Sequence, residues 1–285
     1  MSTSQTFTAT AAGAIWTDVI SHVGTVNVSV DRSLKHAVIT VSTGDDEGPL
    51  ADAVRGTTKK ESKYQHLDCV TIRVPKVEGS TMTMGNSTFH FSGGGLTVGQ
   101  NFGVVTGSVT GVTISNGDIT IGGRQVVRGG RVVAEQGTVV SGSGTGTITV
   151  DVKLPSERSS LRLETTSADL NVRGDLEVLD VHSVSGDVEA KGVHTLRGNV
   201  TSGDIEVERV DARVDVTSVS GDIEIGAYSG SEFRANAVSG DIHVTATPAA
   251  SGSLDVNTVS GDVTTRGTSS LHERVRTVSG KHRSR

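Results

Sequence analysis

Apolar and polar residues alternate in short runs along most of the chain. The pattern is cleanest in the second half, in Leu170-Asn171-Val172, Val188-Glu189-Ala190, Ile205-Glu206-Val207 and Ile223-Glu224-Ile225. Val214-Asp215-Val216 repeats it just before Ser220. Strict alternation sends every second side chain to one face, so each run predicts a strand with one face buried. In the first part of the chain Val26, Val28 and Val30 alternate, as do Ile39 and Val41, and then Val70, Ile72 and Val74. These also predict strands.

One tripeptide punctuates the runs. It appears as Ser185-Gly186-Asp187, Ser202-Gly203-Asp204, Ser220-Gly221-Asp222, Ser239-Gly240-Asp241 and Ser260-Gly261-Asp262. Ser167-Ala168-Asp169 is a degenerate copy before the set, and Ser279-Gly280-Lys281 closes it. From Ser167 to Ser279 the serines follow one another by 18, 17, 18, 19, 21 and 19 residues. A period of that size matches one coil of a solenoid. A single coil buries almost nothing, whereas coils stacked ~4.8 Å apart place Val on Val and Ile on Ile in continuous internal ladders. Glycine can take the positive φ a tight corner needs, and Ser and Asp can bond local backbone groups there. The variable lengths fall away from this corner, where GAYSGSE and TATPAASGS predict loops.

The expected fold is therefore all-β. It is a parallel β-solenoid, or β-helix, with coils of about 17–21 residues. An N-terminal β-rich region carries one short helix, predicted from Pro49 to about Lys60, because proline suits a first helical turn. Three regions are expected. Residues 1–80 form a cap that covers strand edges, residues 81–150 form a Gly-rich irregular β segment continuous with the solenoid, and residues 151–285 form the regular repeats. Within the middle region, Asn116-Gly117-Asp118-Ile119-Thr120-Ile121 reads as a further copy of corner and strand. The Gly/Ser-rich stretches at 92–95 and 141–146 read as linkers or wide turns, the second as a turn. The last coil, ending at Val278, is expected to leave an edge open to pairing with another chain.

Composition narrows the function classes. Aromatic residues make up only 3% and there are 36 glycines, so the core must be built of small aliphatics. The net charge of −6 argues against nucleic-acid binding, which needs a basic footprint. Cys69 is the one cysteine, so no intramolecular disulfide forms, and it reads as a small buried hydrophobe. No stretch approaches the ~20 apolar residues of a membrane helix. The first residues lack the basic start and apolar run of a secretory signal. A cytoplasmic protein without direct membrane insertion is expected.

The segments SVSGDVEA, TSGDIEVE, SVSGDIEI and AVSGDIHV, with the entry stretch DVKLPSERSSLRLETTSADLNV, resemble an uncharacterised bacterial β-strand-repeat family labelled "putative adhesin", a domain of unknown function. The resemblance is strong over 150–280 and weaker over 20–78. It implies a parallel β-solenoid and carries no catalytic residue. It also points toward envelope-associated or regulatory assemblies with membrane partners.

No residue pattern specifies a reaction. Asp169, Asp187, Asp204, Asp222, Asp241 and Asp262 should stack along one edge, with Glu189, Glu206 and Glu224 beside three of them. Such a row could hold Ca²⁺ or a basic partner, but corner capping explains it more simply. A periodic row also supplies no privileged carboxylate pair of the kind glycosidases use. The nine histidines show no zinc spacing, and His182 and His243 are expected to face outward. The run Lys59-Lys60-Glu61-Ser62-Lys63 reads as a solvated helix end. No cofactor and no metal are expected. The sequence points to a non-enzymatic rod for protein interaction or self-association. A self-polymerising scaffold and a carbohydrate-binding or carbohydrate-cleaving β-helix are the alternatives.

Overall fold

The computed structural model describes residues 2–64, 66–77 and 147–285, together with the backbone of seven short strands between 81 and 133. The chain opens with β1 (Thr3–Ala12), β2 (Trp16–Ile20), β3 (Val23–Val30) and β4 (His36–Thr43). Helix α1 (Pro49–Arg55) follows, then β5 (Thr58–Tyr64) and β6 (Leu67–Arg73). Two sets of antiparallel strands come next. β7 (Thr81–Met84), β8 (Ser87–Ser92) and β9 (Gly95–Gly99) form a three-stranded sheet. β10 (Val112–Ser115), β11 (Asp118–Ile121), β12 (Gln125–Arg128) and β13 (Arg131–Val133) form a four-stranded meander.

The remaining strands build the stack. They are β14 (Ile148–Leu154), β15 (Ser160–Ser185), β16 (Val188–Ser202), β17 (Ile205–Ser220), β18 (Ile223–Tyr228), β19 (Glu232–Ser239), β20 (Ile242–Ala246), β21 (Gly252–Ser260), β22 (Val263–Arg266), β23 (Leu271–Ser279) and β24 (His282–Ser284). From β15 onward every pairing is parallel and in coil register, which is the expected parallel β-solenoid.

Coil length decides how far each strand runs. The 17- and 18-residue coils stay hydrogen-bonded around their second bend, so β15, β16 and β17 are single bent strands of 26, 15 and 16 residues. The 19- and 21-residue coils cannot hold that register. They push out loops between Tyr228 and Glu232 and between Ala246 and Gly252, and each splits into two short strands. The uniformly short strands expected from sequence thus occur only where extra residues are inserted.

Inward positions stack as predicted. Leu170, Val188, Ile205, Ile223, Ile242 and Val263 follow one another in register, and all are buried. Each such side chain contributes roughly 1.5–3 kcal/mol when removed from water. The longer coil beginning at Gly221 fills its extra width with aromatics, Tyr228 and Phe233 meeting edge to face at 5.2 Å.

The N-terminal strands join the same sheet. β3 pairs in parallel with both β14 and β15, so Val26 lies between Val150 and Leu170. β2 pairs in parallel with β15 and β6. Antiparallel β4 and β1 follow beyond β14, and antiparallel β5 beyond β6.

Three local expectations need correction or limits. The helix ends at Arg55, with Gly56 capping it, rather than running to Lys60. Lys59-Lys60-Glu61-Ser62-Lys63 is therefore a strand and not a helix end, because it pairs residue for residue with β6. Asp118–Ile121 folds back antiparallel on Val112–Ser115, unlike the parallel corners, while 116–117, 93–94 and 141–146 lie outside the described residues.

Candidate functional site

The repeated corner is the most highly organised feature of the surface. Ser185, Ser202, Ser220, Ser239, Ser260 and Ser279 stand one above another in register. The glycine after each serine from Ser185 to Ser260 has positive φ, +129° at Gly186, +131° at Gly203 and Gly221, +137° at Gly240 and +157° at Gly261. Conformation is only half of the requirement. A Cβ built on Gly221 would sit 2.1 Å from the carbonyl oxygen of Gly203, and one on Gly240 2.2 Å from that of Gly221. The glycines are needed because the coils meet backbone to backbone at this edge.

The aspartates close the corner across coils rather than within one. Oδ1 of Asp169 accepts the amide N–H of Asp187 at 3.1 Å, and Asp187 accepts that of Asp204 at 2.9 Å. Asp204 accepts from Asp222 at 2.8 Å, and Asp222 from Asp241 at 2.7 Å. Asp241 accepts from Asp262 at 2.7 Å, and Asp262 from Lys281 at 2.8 Å. One oxygen of each carboxylate is thus committed to the next coil. The bond from Lys281, with the nearby Arg283 and Lys281 charges, holds the Asp262 carboxyl below its ordinary range. Sequence reasoning anticipated local backbone bonds for these residues, but the partner lies 17–21 residues away.

A second row runs parallel to the first. Asp18, Arg162, Asp180, Arg197, Asp215, Arg234, Asp255 and Arg274 occupy equivalent positions in successive coils, and their charge alternates without a break. Arg162 approaches Asp180 to 3.9 Å and Arg274 approaches Asp255 to 3.8 Å. Arg213 adds contacts to Asp215 at 3.4 Å and Glu232 at 3.1 Å. At the head of the row, burial pushes the Asp18 carboxyl up, opposed by Arg162. This row was missed in the sequence, although a signal was present. From Arg162 to Arg274 each member stands five residues before a repeat serine.

A third row is apolar and exposed. Val184, Val219, Val238, Val259 and Val278 each precede a repeat serine, and they are 53, 46, 50, 49 and 82% exposed. At its upper end lies a shallow cleft of about 310 Å³ lined by His22, Glu164, Thr166, His182, Val184 and Asn199. His182 Nε2 lies 3.1 Å from Asp180 Oδ1, and His243 is exposed between Glu224 and Thr264. Cys69 is buried, and burial pushes its thiol up. Among the described residues no group of three His, Cys, Asp or Glu side chains is placed to hold a metal ion. No described helix is long and apolar enough to cross a membrane.

Stacked parallel coils with in-register glycine corners define a β-solenoid domain. The chain belongs to the Toastrack DUF4097 family, a domain of unknown function in bacterial proteins, whose model matches residues 27–284. Its fold is similar to that of a "putative adhesin" from Bacteroides fragilis, with 11% identity and a TM-score of 0.49 over 100% of this chain and 97% of that one. A second "putative adhesin", from Parabacteroides merdae, has 10% identity and a TM-score of 0.44 over 99% and 95% of the two chains. A third, from Parabacteroides distasonis, has 11% identity and a TM-score of 0.40 over 99% and 97%. No curated protein sequence matches the chain.

Proposed function

We propose that this protein is a non-enzymatic interaction rod. The observation that carries the reading is the surface order just described. Three rows run along the stack, one acidic, one of alternating charge and one of exposed valines interrupted at Thr201. Backbone and carboxylate ladders hold these rows rigid, so a partner meets a preformed surface and little ordering entropy is lost on binding. In this reading the strands of residues 1–80 close one end of the stack, and the recognition surface lies on residues 151–285.

Light scattering across concentrations, with negative-stain images of the same samples, tests the reading. A small discrete mass independent of concentration is the expected result. Concentration-dependent filaments would replace the rod with a self-polymerising scaffold. Release of reducing ends from a polysaccharide panel would replace it with a glycan-cleaving enzyme.

A further inference from the structure

The exposed valines have no structural duty that the fold accounts for. From Val184 to Val259 the residue before each on the strand, such as Ser218 before Val219 and Ala237 before Val238, is buried, while the valine and the serine after it are exposed. Thr201 takes the same position between Val184 and Val219, so the row spans six coils with one polar break and is unbroken valine from Val219 to Val278. At ~4.8 Å per coil it is roughly 24 Å long. Polar or charged residues would serve an outward strand position equally well, and a contiguous apolar line on a surface marks a contact site.

Spacing selects the occupant. A peptide lying extended along the row would present same-side residues every ~6.6 Å, out of step with the coils. An α-helix presents one residue per ~5.4 Å turn, close enough to follow the coils over about four and a half turns, or about 16 residues. Charge selects its composition. On the corner side the row is bordered by the aspartate ladder, whose second carboxylate oxygens are not used by that ladder, and beyond it by exposed Glu189, Glu206 and Glu224. A helix seated on the valines would lie beside negative charge from Asp187 to Asp241, which gives way to Lys281 and Arg283 at the Val278 end.

We propose that the valine row is the docking site for an amphipathic α-helix of a partner protein, apolar on one face and basic along one border. The assignment rests on the interaction-rod reading and names its surface and partner chemistry. The cleft beside His22 and His182 lies at one end of the row and receives one end of that helix.

The test uses the whole chain and a fluorescent 18-residue Leu/Lys peptide designed as an amphipathic helix, with binding followed by anisotropy at low ionic strength. The wild-type protein is expected to bind it and to lose at least tenfold in affinity in the Val219→Lys/Val238→Lys variant. Both positions are exposed, and an unchanged melting curve checks that the variant folds. A scrambled peptide of the same composition is expected to bind at least tenfold more weakly. Glu206→Lys/Glu224→Lys should weaken binding and flatten its salt dependence.

No binding by the wild-type protein, or equal binding by the valine variant or the scrambled peptide, overturns the proposal. A wild-type dimer that the valine substitutions dissociate gives the row to a second copy. Valine-dependent binding to phosphatidylglycerol vesicles gives it to a membrane. Either result overturns the helix assignment. A partner that binds the valine variant as well as the wild type also removes the row from the interface, and it leaves the rod reading standing.

Discussion

The amide nitrogen of Asp241 lies 2.7 Å from Oδ1 of Asp222, one coil away. That bond, repeated at six corners, explains why the repeat ends in aspartate and not merely in a turn-forming residue. Asp222→Ala removes the acceptor and should cost ~1 kcal/mol, since the amide can turn to water at this exposed edge. Asp222→Asn keeps an oxygen in place and relieves like-charge stacking, so its stability should lie within ~0.5 kcal/mol of wild type. Urea titrations of the two variants separate the acceptor role from the charge.

Gly221→Ala should be far more damaging. It places a Cβ 2.1 Å from the Gly203 carbonyl oxygen at a φ of +131°. A loss of about 3 kcal/mol is expected from backbone strain and overpacking together. Gly44, which has nothing within 4 Å of a built Cβ, provides the control. Gly44→Ala should change stability by no more than ~0.5 kcal/mol in the same thermal melts.

Ile223 is fully buried between Ile205 and Ile242. Ile223→Asp puts an unpaired carboxylate into the central ladder and should cost more than ~4 kcal/mol, enough to abolish a cooperative melt. A melting curve like that of the wild type would show that this position does not face the core.

The alternating charge row makes a salt-dependent prediction. Asp215→Arg places three arginines in succession with Arg197 and Arg234. It should destabilise the rod by ~1 kcal/mol at low ionic strength, and most of that loss should disappear in high salt. Melting temperatures measured across a salt series would show the convergence.

Acid should weaken the N-terminal strands through Glu61. Glu61 accepts hydrogen bonds from the Thr10 amide at 2.9 Å and from Lys59 Nζ at 3.0 Å. The Thr10 bond leads in lowering its carboxyl from the ordinary 4.5 to about 2. A carboxyl depressed on folding stabilises the protein above its unfolded pKa. That contribution fades as pH falls from 4.5 toward 2. Glu61→Gln should therefore be less stable than wild type at neutral pH, and the gap should close across that acid range in pH-dependent melts.

The solenoid was legible because its determinants are short and periodic. The alternation around Ile223 and the glycine at 221 report a strand and a corner within a few residues, and repetition near every 18 residues says that the unit stacks. Helix α1 was legible for its first two turns for the same local reason. Its predicted continuation to Lys60 failed after Arg55, where Gly56 caps the helix and pairing of Thr58–Tyr64 with β6, a tertiary contact, overrode a charged run that carries little preference of its own.

What the sequence determined by itself was the period, the inward face of each strand and the need for glycine at each turn, all set by local geometry. Stacking alone decided that the aspartates bond to the next coil, that aspartates and arginines from different coils form one alternating row, and that five valines far apart in the chain become a single exposed line. The aspartate bonds join residues 17 to 21 positions apart, and all three relationships exist only once the coils lie one strand spacing from each other.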